Sequence, residues 1–366
     1  MKDFLLDAKN LLITVRISTI NLIKKQWQIR GWLSLLLFPL SLLTITYLWI
    51  NSRLYENQFR KTHHFKTPII VVGNVVVGGA GKTPVVIELV NHLSQTGRQV
   101  GVVSKGYGRL RQRNTNQQFH ALEVQNTSSC ALVGDEPKLI YLKTGVPVFV
   151  GDDRAQTVKA LLDKYPNTDI VISDDGLQHH ALGRDINIVV FDSTGLGNGL
   201  LLPSGPLRET WPRAYKNAQT EFILSTNEGK APMGFKVLRT LSNFAFNKSG
   251  QKLDLREPRN TRFHALAGIA RPEIFFEMLI DKGLNLSETT LLEDHATFNV
   301  HHFNLTDDAS VKTNYPETTY LCTEKDAVKI WEFNPDVWAV PLICTLDPKF
   351  VDELEDSLVQ LRRSKA

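Results

Sequence analysis

The residues best suited to chemistry form a glycine-rich segment over residues 73–83, which reads Gly-Asn-Val-Val-Val-Gly-Gly-Ala-Gly-Lys-Thr. A strand-like run precedes it and a helix-like run follows it, the context that a phosphate-binding loop requires. Glycines let backbone N–H groups approach phosphate oxygens, and a helix N-terminus attracts negative charge. The pattern departs from the usual one because Val76 stands where its first glycine is expected. The simpler alternative is a glycine-rich turn before a helix.

In such a loop, the lysine binds β- and γ-phosphate oxygens and the threonine hydroxyl binds Mg²⁺. Lys82 is therefore a predicted catalytic residue, and Thr83 a predicted metal ligand. The predicted phosphate-binding residues are Val76, Val77, Gly78, Gly79, Ala80, Gly81, Lys82 and Thr83.

A second candidate site is the end of a hydrophobic run, residues 169–176, which reads Asp-Ile-Val-Ile-Ser-Asp-Asp-Gly. Acidic residues at such a position in a phosphate-loop enzyme hold Mg²⁺ directly or through water. Asp174 and Asp175 are therefore predicted metal ligands, the alternative being a solvated turn. His179 and His180 follow. Adjacent strand residues face opposite ways, so at most one of these two histidines is expected to be functional.

Other candidates lie in segments predicted as loops. Residues 133–137 read Val-Gly-Asp-Glu-Pro, and a positioned Asp135 can accept the proton of an attacking alcohol. Residues 104–109, 151–154 and 202–209 carry arginines that can bind anionic substrate groups, because strand-end loops line the ligand crevice of an open sheet. Solvated surface arginines are the alternative.

Composition narrows the possible classes of protein. The chain has 366 residues, enough for one large or two medium domains, and a formal net charge of +4. This mild charge suits an anionic substrate or a membrane surface and does not call for nucleic acid. The three cysteines lie far apart, so neither a zinc site nor a disulfide framework is indicated, and a reducing cytoplasmic environment is expected.

An uncharged apolar run over residues 32–50 predicts membrane attachment, since about 20 apolar residues cross a bilayer. Its orientation is ambiguous. Residues 1–30 hold six Lys/Arg and two Asp, which favours a cytoplasmic N-terminus, yet a domain that uses ATP must also be cytoplasmic. A single span cannot satisfy both, and Pro39 could kink the helix. A hairpin, an interfacial helix and a buried core helix stay open as alternatives.

From residue 67 the pattern changes to apolar strands that alternate with helical stretches, which predicts a parallel, doubly wound α/β sheet. A second α/β set follows from about residue 216, and it includes one predicted strand over residues 338–343. The predicted fold is thus a P-loop NTPase-like parallel sheet with a second, smaller α/β domain and an N-terminal membrane-anchoring helix. The predicted divisions are residues 1–60, 61–215 and 216–366, with the last completing the active-site cleft.

Taken together, these motifs resemble the tetraacyldisaccharide 4′-kinase family. The matching stretches are VGNVVVGGAGKTP at 72–84, SKGYGR at 104–109, GDEP at 134–137, VGDDR at 150–154, SDDGLQHHALGRDI at 173–186, GNGLLLPSGPLRE at 197–209, AGIARPEIFF at 267–276, EDHATF at 293–298 and TEKDAVK at 323–329. They cover most of the chain, in an order that chance rarely produces.

The resemblance implies transfer of the ATP γ-phosphate, with Mg²⁺, to the 4′-hydroxyl of a tetraacyl disaccharide 1-phosphate, giving lipid IVA. It implies that Asp135 is the catalytic base with His295 as its partner, and that Gln178 joins the acidic residues near Mg²⁺. The residues expected around the lipid's sugar and phosphate are Tyr107, Arg109, Arg154 and Arg208. The expected location is the cytoplasmic face of the bacterial inner membrane, with the lipid A precursor and the membrane surface as partners and neither nucleic acid nor a protein partner predicted.

Rival functions fit less well. A membrane-associated ATPase of the partition or reductase type has a signature lysine where this chain has Val77. A GTPase needs Asn-Lys-X-Asp for guanine, and residues 247–250 read Asn-Lys-Ser-Gly. A non-catalytic membrane scaffold is disfavoured by the intact Lys82-Thr83 pair.

Overall fold

The structure is a computed structural model that describes residues 23, 25–110, 121–213, 217–226, 231–256, 262–292 and 319–365. Within these ranges the helices are α1 (Trp32–Glu56), α2 (Lys82–Gln95), α3 (Cys130–Val133), α4 (Asp135–Thr144), α5 (Arg154–Lys164), α6 (Pro272–Asp281), α7 (Glu324–Ile330) and α8 (Pro348–Lys365).

The strands in the same ranges are β1 (Ile69–Gly73), β2 (Val100–Ser104), β3 (Leu122–Glu123), β4 (Val148–Val150), β5 (Ile170–Asp174), β6 (Ile186–Phe191), β7 (Thr220–Ser225), β8 (Phe235–Leu241), β9 (Phe244–Phe246), β10 (Lys252–Asp254), β11 (Phe263–Ala267), β12 (Leu286–Leu291), β13 (Thr319–Thr323), β14 (Trp338–Val340) and β15 (Leu342–Leu346).

The larger sheet has the strand order β15-β8-β7-β6-β1-β5-β2-β4-β3. Its central strands pair in parallel, with β1 between β5 and β6. Apolar side chains on both faces bury β1, β2 and β5 completely. The core on one face takes residues from α2, α4 and α8, and the core on the other face takes residues from α5. Because parallel strands end at one edge, β1, β2 and β5 bring their following loops together there.

The smaller sheet has the order β10-β9-β14-β13-β11-β12, with parallel pairing among β11, β12, β13 and β14. The predicted strand over residues 338–343 is wrong in one respect. Pro341, which has no backbone N–H to donate, separates β14 in the smaller sheet from β15 in the larger one.

The predicted fold class is confirmed: a parallel phosphate-loop sheet, a second smaller α/β sheet and an N-terminal apolar helix are all present. The sheets do not divide at residue 215, however. Strands β7, β8 and β15 join the larger sheet, and α8 packs on its core through Phe350, Leu354, Leu358 and Leu361. The chain therefore leaves the larger sheet for the smaller one and returns to it at its end.

Among the described residues, α1 is the one helix long and apolar enough to cross a membrane by length and composition. It has 25 residues and continues through Pro39. Its buried side chains are not its most apolar ones, because Ser34 and Ser41 are 2% and 1% exposed whereas Leu36 and Leu43 are 66% and 68% exposed.

Candidate active site

The predicted phosphate-binding segment connects the central strand β1 to α2, which begins at Lys82. Glycine is required at Gly81, where φ is 74° and a Cβ atom would stand 2.5 Å from Nη1 of Arg239. Gly78 likewise has a positive φ, of 115°. These conformations place successive backbone amides at the N-terminus of a helix, which is the arrangement that binds phosphate.

Asn74, which the sequence analysis did not single out, braces this segment from inside. Its side chain is buried, donating from Nδ2 to the carbonyl of Val76 at 2.7 Å and accepting at Oδ1 from Nζ of Lys82 at 3.1 Å. Nζ of Lys82 also lies 3.5 Å from Oδ1 of Asp175. Lys82 is thus held between the loop and the predicted metal site. A polar residue directly after a buried strand was the signal that could have identified Asn74.

A second loop, residues 201–208, pairs with the phosphate-binding segment and accounts for valine at position 76. Val76 forms an antiparallel bridge with Leu207, and the Val77 amide donates to the carbonyl of Pro206 at 2.8 Å. The amide of Arg208 donates to the carbonyl of Val75 at 2.7 Å. A strand-like residue therefore fits where the common pattern has glycine, because this stretch of backbone is extended and paired.

Asp175 joins the two loops electrostatically. Nη1 of Arg208 lies 3.2 Å from each oxygen of the Asp175 carboxylate. Burial raises the pKa of Asp175, but Lys82 and Arg208 outweigh it, so the net pKa lies below the ordinary value. The carboxylate is therefore ionised at neutral pH, which suits a metal ligand. Its φ of 48° is unusual for a residue other than glycine and is often seen at functional sites.

Asp174 is fully buried beside it. Its Oδ2 accepts a hydrogen bond from Ser104 at 3.1 Å, while its Oδ1 is a buried oxygen without a hydrogen-bond donor. Burial, with the neighbouring carboxylates of Glu136 and Asp175, raises the pKa of Asp174 to about 7. A cation would favour the ionised carboxylate and give the orphaned oxygen a partner, so this site fits Mg²⁺.

No group of three or more His, Cys, Asp or Glu side chains positioned to hold a metal occurs among the residues with described positions. Mg²⁺ does not require such a group, since it usually takes one or two carboxylates together with substrate phosphates and water. Gln178 donates from Nε2 to the carbonyl of Asn74 at 3.1 Å and to Glu209 at 2.7 Å, so its Oε1 is the atom suited to a metal.

Arg154 is buried within the protein, 3% exposed. Its guanidinium donates to the backbone carbonyls of Gly151 and Asp174, at 3.1 Å and 3.0 Å. Its amide donates to Nε2 of His179 at 3.3 Å. Burial, and after it the positive charge of Arg154, lower the pKa of His179 to about 4. In this conformation Arg154 positions the end of β5, and the prediction that it meets the lipid stays a prediction.

Two other predicted substrate residues lie at the same edge of the sheet. Arg109 pairs with Asp152 at 3.2 Å, and Tyr107 is 68% exposed. Both follow β2, and Asp152 follows β4, so the loops of neighbouring parallel strands supply them together.

The prediction that residues 133–137 form a loop is wrong, because Asp135 is the first residue of α4. Gly134, with φ of 91°, separates α4 from the short α3. Asp135 is 4% exposed, accepts from the Glu136 amide at 2.9 Å and lies 3.4 Å from Nζ of Lys329. His295 lies outside the described residues, so the predicted Asp135–His295 pair stays a prediction.

The segment after β11 also reaches the phosphate-binding loop. Ala270 is so close to Gly79 that a Cβ on Gly79 would stand 2.8 Å from the Ala270 Cβ. Arg271 donates from Nη2 to Asp192 at 2.7 Å, at the end of β6. The Asp326 carboxylate is buried and accepts from the Gly268 amide at 3.0 Å. Both sheets therefore contribute to the site.

The structure thus brings Lys82, Asp174, Asp175, Gln178 and Arg208 together around the phosphate-binding loop. Asp135 reaches the smaller sheet's α7 through Lys329, and the adjacent Glu136 does so through Lys325 at 3.0 Å. The stretch TEKDAVK, which the sequence analysis matched but assigned no role, provides both lysines.

Comparisons with known proteins show the family of this chain. The family model for tetraacyldisaccharide-1-P 4′-kinase matches residues 33–359. A tetraacyldisaccharide 4′-kinase of Acidovorax sp. is 44% identical over 92% of this chain and 94% of its own length. One from Ruthia magnifica is 38% identical over 90% of this chain and 99% of its own length.

Among solved structures, LpxK from Aquifex aeolicus in complex with ATP matches with a TM-score of 0.72 and 25% identity, covering 90% of this chain and 99% of that one. The chain therefore belongs to the tetraacyldisaccharide 4′-kinase family, which confirms the resemblance found in the sequence motifs.

Proposed function

We propose that this enzyme transfers the γ-phosphoryl group of ATP to the 4′-hydroxyl of the tetraacyldisaccharide 1-phosphate precursor of lipid A, giving lipid IVA. Membership of the kinase family supports the reaction. The observation that carries it is the network in which Lys82 and Arg208 converge on Asp175 beside a glycine-bearing loop at a helix N-terminus.

ATP is the proposed phosphoryl donor, bound through residues 76–83. Backbone amides at the start of α2 would hold the phosphates, and Lys82 would neutralise charge on the transferred group. Lys82 is already directed by Asn74 and Asp175, so little reorganisation is needed on binding. The solved relative described in complex with ATP supports this assignment.

Mg²⁺ is the proposed cofactor, with Thr83, Asp174, Asp175 and Gln178 as the residues that would hold it. When bound, it supplies positive charge that offsets the phosphate charge during transfer. Asp174 Oδ1, buried and without a donor, is the atom that most needs such a partner. Arg154 would keep Asp174 in place through its backbone carbonyl.

Asp135, paired with His295, is the proposed acceptor of the 4′-hydroxyl proton. An alcohol is a poor nucleophile while protonated, so a positioned base assists as the new P–O bond forms. Asp135 begins α4, whose N-terminus attracts negative charge, and its carboxylate lies 3.4 Å from Nζ of Lys329. Because Asp135 is buried, His295 would orient the carboxylate or share its proton.

The sugar and phosphate of the acceptor are proposed to meet Tyr107, Arg109 and Arg208, with Arg154 supporting them from inside. Guanidinium groups suit the 1-phosphate because they form paired hydrogen bonds. The proposed location is the cytoplasmic face of the inner membrane, anchored by the N-terminal segment, because ATP and the acyl chains must reach one site.

The test uses purified full-length protein in detergent micelles with ATP labelled at the γ-phosphate and the disaccharide 1-phosphate acceptor. We expect a labelled lipid from the wild type and none from Lys82→Ala with an unchanged melting temperature. Release of labelled inorganic phosphate without a labelled lipid would instead favour the ATPase of the partition or reductase type.

A further inference from the structure

One face of the apolar helix α1 contacts the kinase core at regular intervals. The contacting residues of α1 lie seven apart, at Ser34, Ser41, Leu48 and Tyr55, and Trp27, in the turn before the helix, contacts the same core. Residues seven apart lie on nearly the same side of an α-helix, since seven residues complete almost two turns. The core therefore follows α1 along its length, from the residues before it to its last turn.

The first part of this face is polar and bonded to residues 198–204. Trp27 donates from Nε1 to the carbonyl of Pro203 at 3.0 Å, and Asn198 donates from Nδ2 to Oγ of Ser34 at 3.0 Å. Oγ of Ser41 donates to the carbonyl of Leu201 at 2.9 Å. The two bonds that involve the serines are buried, so breaking them in an apolar environment is costly.

The last part of this face is held by another segment. Leu48 packs on the core beneath the larger sheet, and the Tyr55 ring lies 5.7 Å from the His180 ring, edge to face. Thr62, beyond the helix, donates to the carbonyl of His180 at 3.3 Å. Both ends of α1 are therefore fixed to one folded unit.

The opposite face is apolar and exposed. Leu36, Leu43 and Ile50, again seven apart, are 66%, 68% and 46% exposed, and Trp32 and Trp49 near the ends are 71% and 60% exposed. Exposed apolar surface of this extent on a soluble protein usually marks an interaction site. Basic side chains near both ends, Lys25, Arg30, Arg53 and Arg60, suit anionic lipid headgroups.

These contacts are incompatible with a helix that crosses the bilayer. Ser34 and Tyr55 are separated by about 32 Å along a helix with a rise of 1.5 Å per residue, close to the hydrocarbon thickness of about 30 Å. If α1 crossed, Asn198 and His180 would lie at opposite surfaces of the membrane. The folded core that joins them would then have to pass through hydrocarbon with its polar surface.

We infer that α1 lies in the plane of the membrane surface, with its 36–43–50 face in the acyl region of one leaflet and its 34–41–48 face on the kinase core. This inference rests on the proposed membrane location and specifies how the protein is oriented there. The basic flanks on both sides of α1 then lie on the cytoplasmic side together with the ATP site, which removes the conflict that a single span creates.

The same arrangement connects the membrane to the active site. Loop 198–208 is bonded to α1 at one end, and its other end pairs with Val76 and carries Arg208. A lipid acceptor in that leaflet therefore meets a site whose height above the membrane is set by α1.

Sidedness tests the inference in the full-length protein with Cys130 replaced by serine, because Cys322 and Cys344 are buried. Single cysteines are introduced as Lys25→Cys before α1, Asn57→Cys after it and Gln360→Cys on α8. We expect a membrane-impermeant maleimide to label all three in inverted inner-membrane vesicles and none in intact spheroplasts. Labelling of positions 25 and 57 from opposite sides would overturn the inference.

Depth gives the second readout, with nitroxide labels at Leu36→Cys, Leu43→Cys and Ile50→Cys. An in-plane helix predicts similar contact with dissolved oxygen at all three sites and little contact with a water-soluble nickel complex. A deep position 43 between two shallow ones would indicate a span. Protection of all three from both reagents would mean that protein, such as a second copy of this chain, covers the face. Either result overturns the inference.

Kinase assays of the same variants separate this inference from the proposed function. Same-side labelling at uniform depth without any lipid phosphorylation by the wild type would remove the proposed function and leave the in-plane helix standing. Phosphorylation of the lipid together with opposite-side labelling would support the proposed function and overturn the in-plane helix.

Discussion

Replacing Asn74 with alanine removes a side chain that bonds both the backbone of the phosphate-binding loop and its lysine. The lost contacts are the donation to the carbonyl of Val76 at 2.7 Å and the acceptance from Lys82 at 3.1 Å. Asn74 is 1% exposed and the Lys82 side chain is 11% exposed, so little water is at hand to replace these bonds. We expect Lys82 to lose its fixed direction and to shift towards Asp175.

The magnitude follows from the type of bond. A neutral hydrogen bond contributes about 0.5–1.5 kcal/mol and one to a charged group about 1.5–3 kcal/mol. If about 2–3 kcal/mol of this acts in the transition state, kcat falls about 30- to 150-fold. The KM for ATP should rise less, since backbone amides of the loop still bind the phosphates.

The assay is steady-state phosphorylation of the lipid acceptor with ATP varied, together with a thermal melt. Asn187→Ala is the matched control, because Asn187 is also 1% exposed but lies at the start of β6, away from the loop. We expect both variants to lose some stability and only Asn74→Ala to lose most of its turnover. A folded Asn74→Ala enzyme within twofold of wild-type kcat would refute the reasoning.

Three further predictions concern other parts of the chain. Arg208→Ala should raise the KM for the lipid about tenfold or more and that for ATP less; a rise for ATP alone would assign Arg208 to the nucleotide. In a double-mutant cycle, the loss in kcat of the double variant should be smaller than the product of the losses caused by Asp135→Ala and His295→Ala, because the two residues are proposed to act as one unit. Single losses that multiply independently would contradict the pair. Burial raises the pKa of Glu355, but hydrogen bonds, first from Arg98, outweigh it and leave the pKa below its ordinary value. Such a carboxylate stabilises the fold above its unfolded-state pKa and loses this effect as pH falls through the folded-state pKa. Glu355→Gln should therefore lower the melting temperature at pH 7, with a gap that narrows below about pH 4; a gap independent of pH would argue against the ion pair.

Much of the larger sheet and its phosphate-binding loop could be predicted from the sequence because they depend on local patterns. A buried apolar run before glycines and Lys82-Thr83 predicts β1, the loop and α2, and the run that ends in Asp174 and Asp175 predicts β5. Both predictions agree with the structure, in which β1 precedes the loop, α2 begins at Lys82 and β5 ends at Asp174. Parallel pairing of β1 with β5 then brings the lysine and the acids together, as expected.

The contacts made by distant segments could not be predicted in this way. Nothing local to Arg208 indicates that its side chain meets Asp175, and nothing local to Gly79 indicates Ala270 above it. The start of a helix at Asp135 was missed because Gly134 and Pro137 suggested a loop, although proline is well tolerated in a first helical turn. The chain passes from the smaller sheet to the larger one at Pro341, and this too depends on which distant strands β14 and β15 pair with.

The spacing of two serines in α1 is a sequence signal for a helix with one protein-facing side. Ser34 and Ser41 lie in an uncharged, mostly apolar run at a spacing of seven, which places them on one helix side. Their hydroxyls bond to residues of the folded core, on the side of α1 opposite its exposed apolar face. A polar pair at this spacing distinguishes a helix with one protein face from a helix surrounded by lipid.

The most direct measurement of the central claim is the position of the phosphate that the enzyme adds. The product of full-length protein, ATP, Mg²⁺ and the tetraacyldisaccharide 1-phosphate would be purified and examined by proton–phosphorus correlation NMR. We predict a second phosphomonoester whose phosphorus couples to the proton on carbon 4′, present with the wild type and missing with Lys82→Ala. Phosphorylation at another hydroxyl, or conversion of the existing 1-phosphate to a diphosphate, would contradict the proposal.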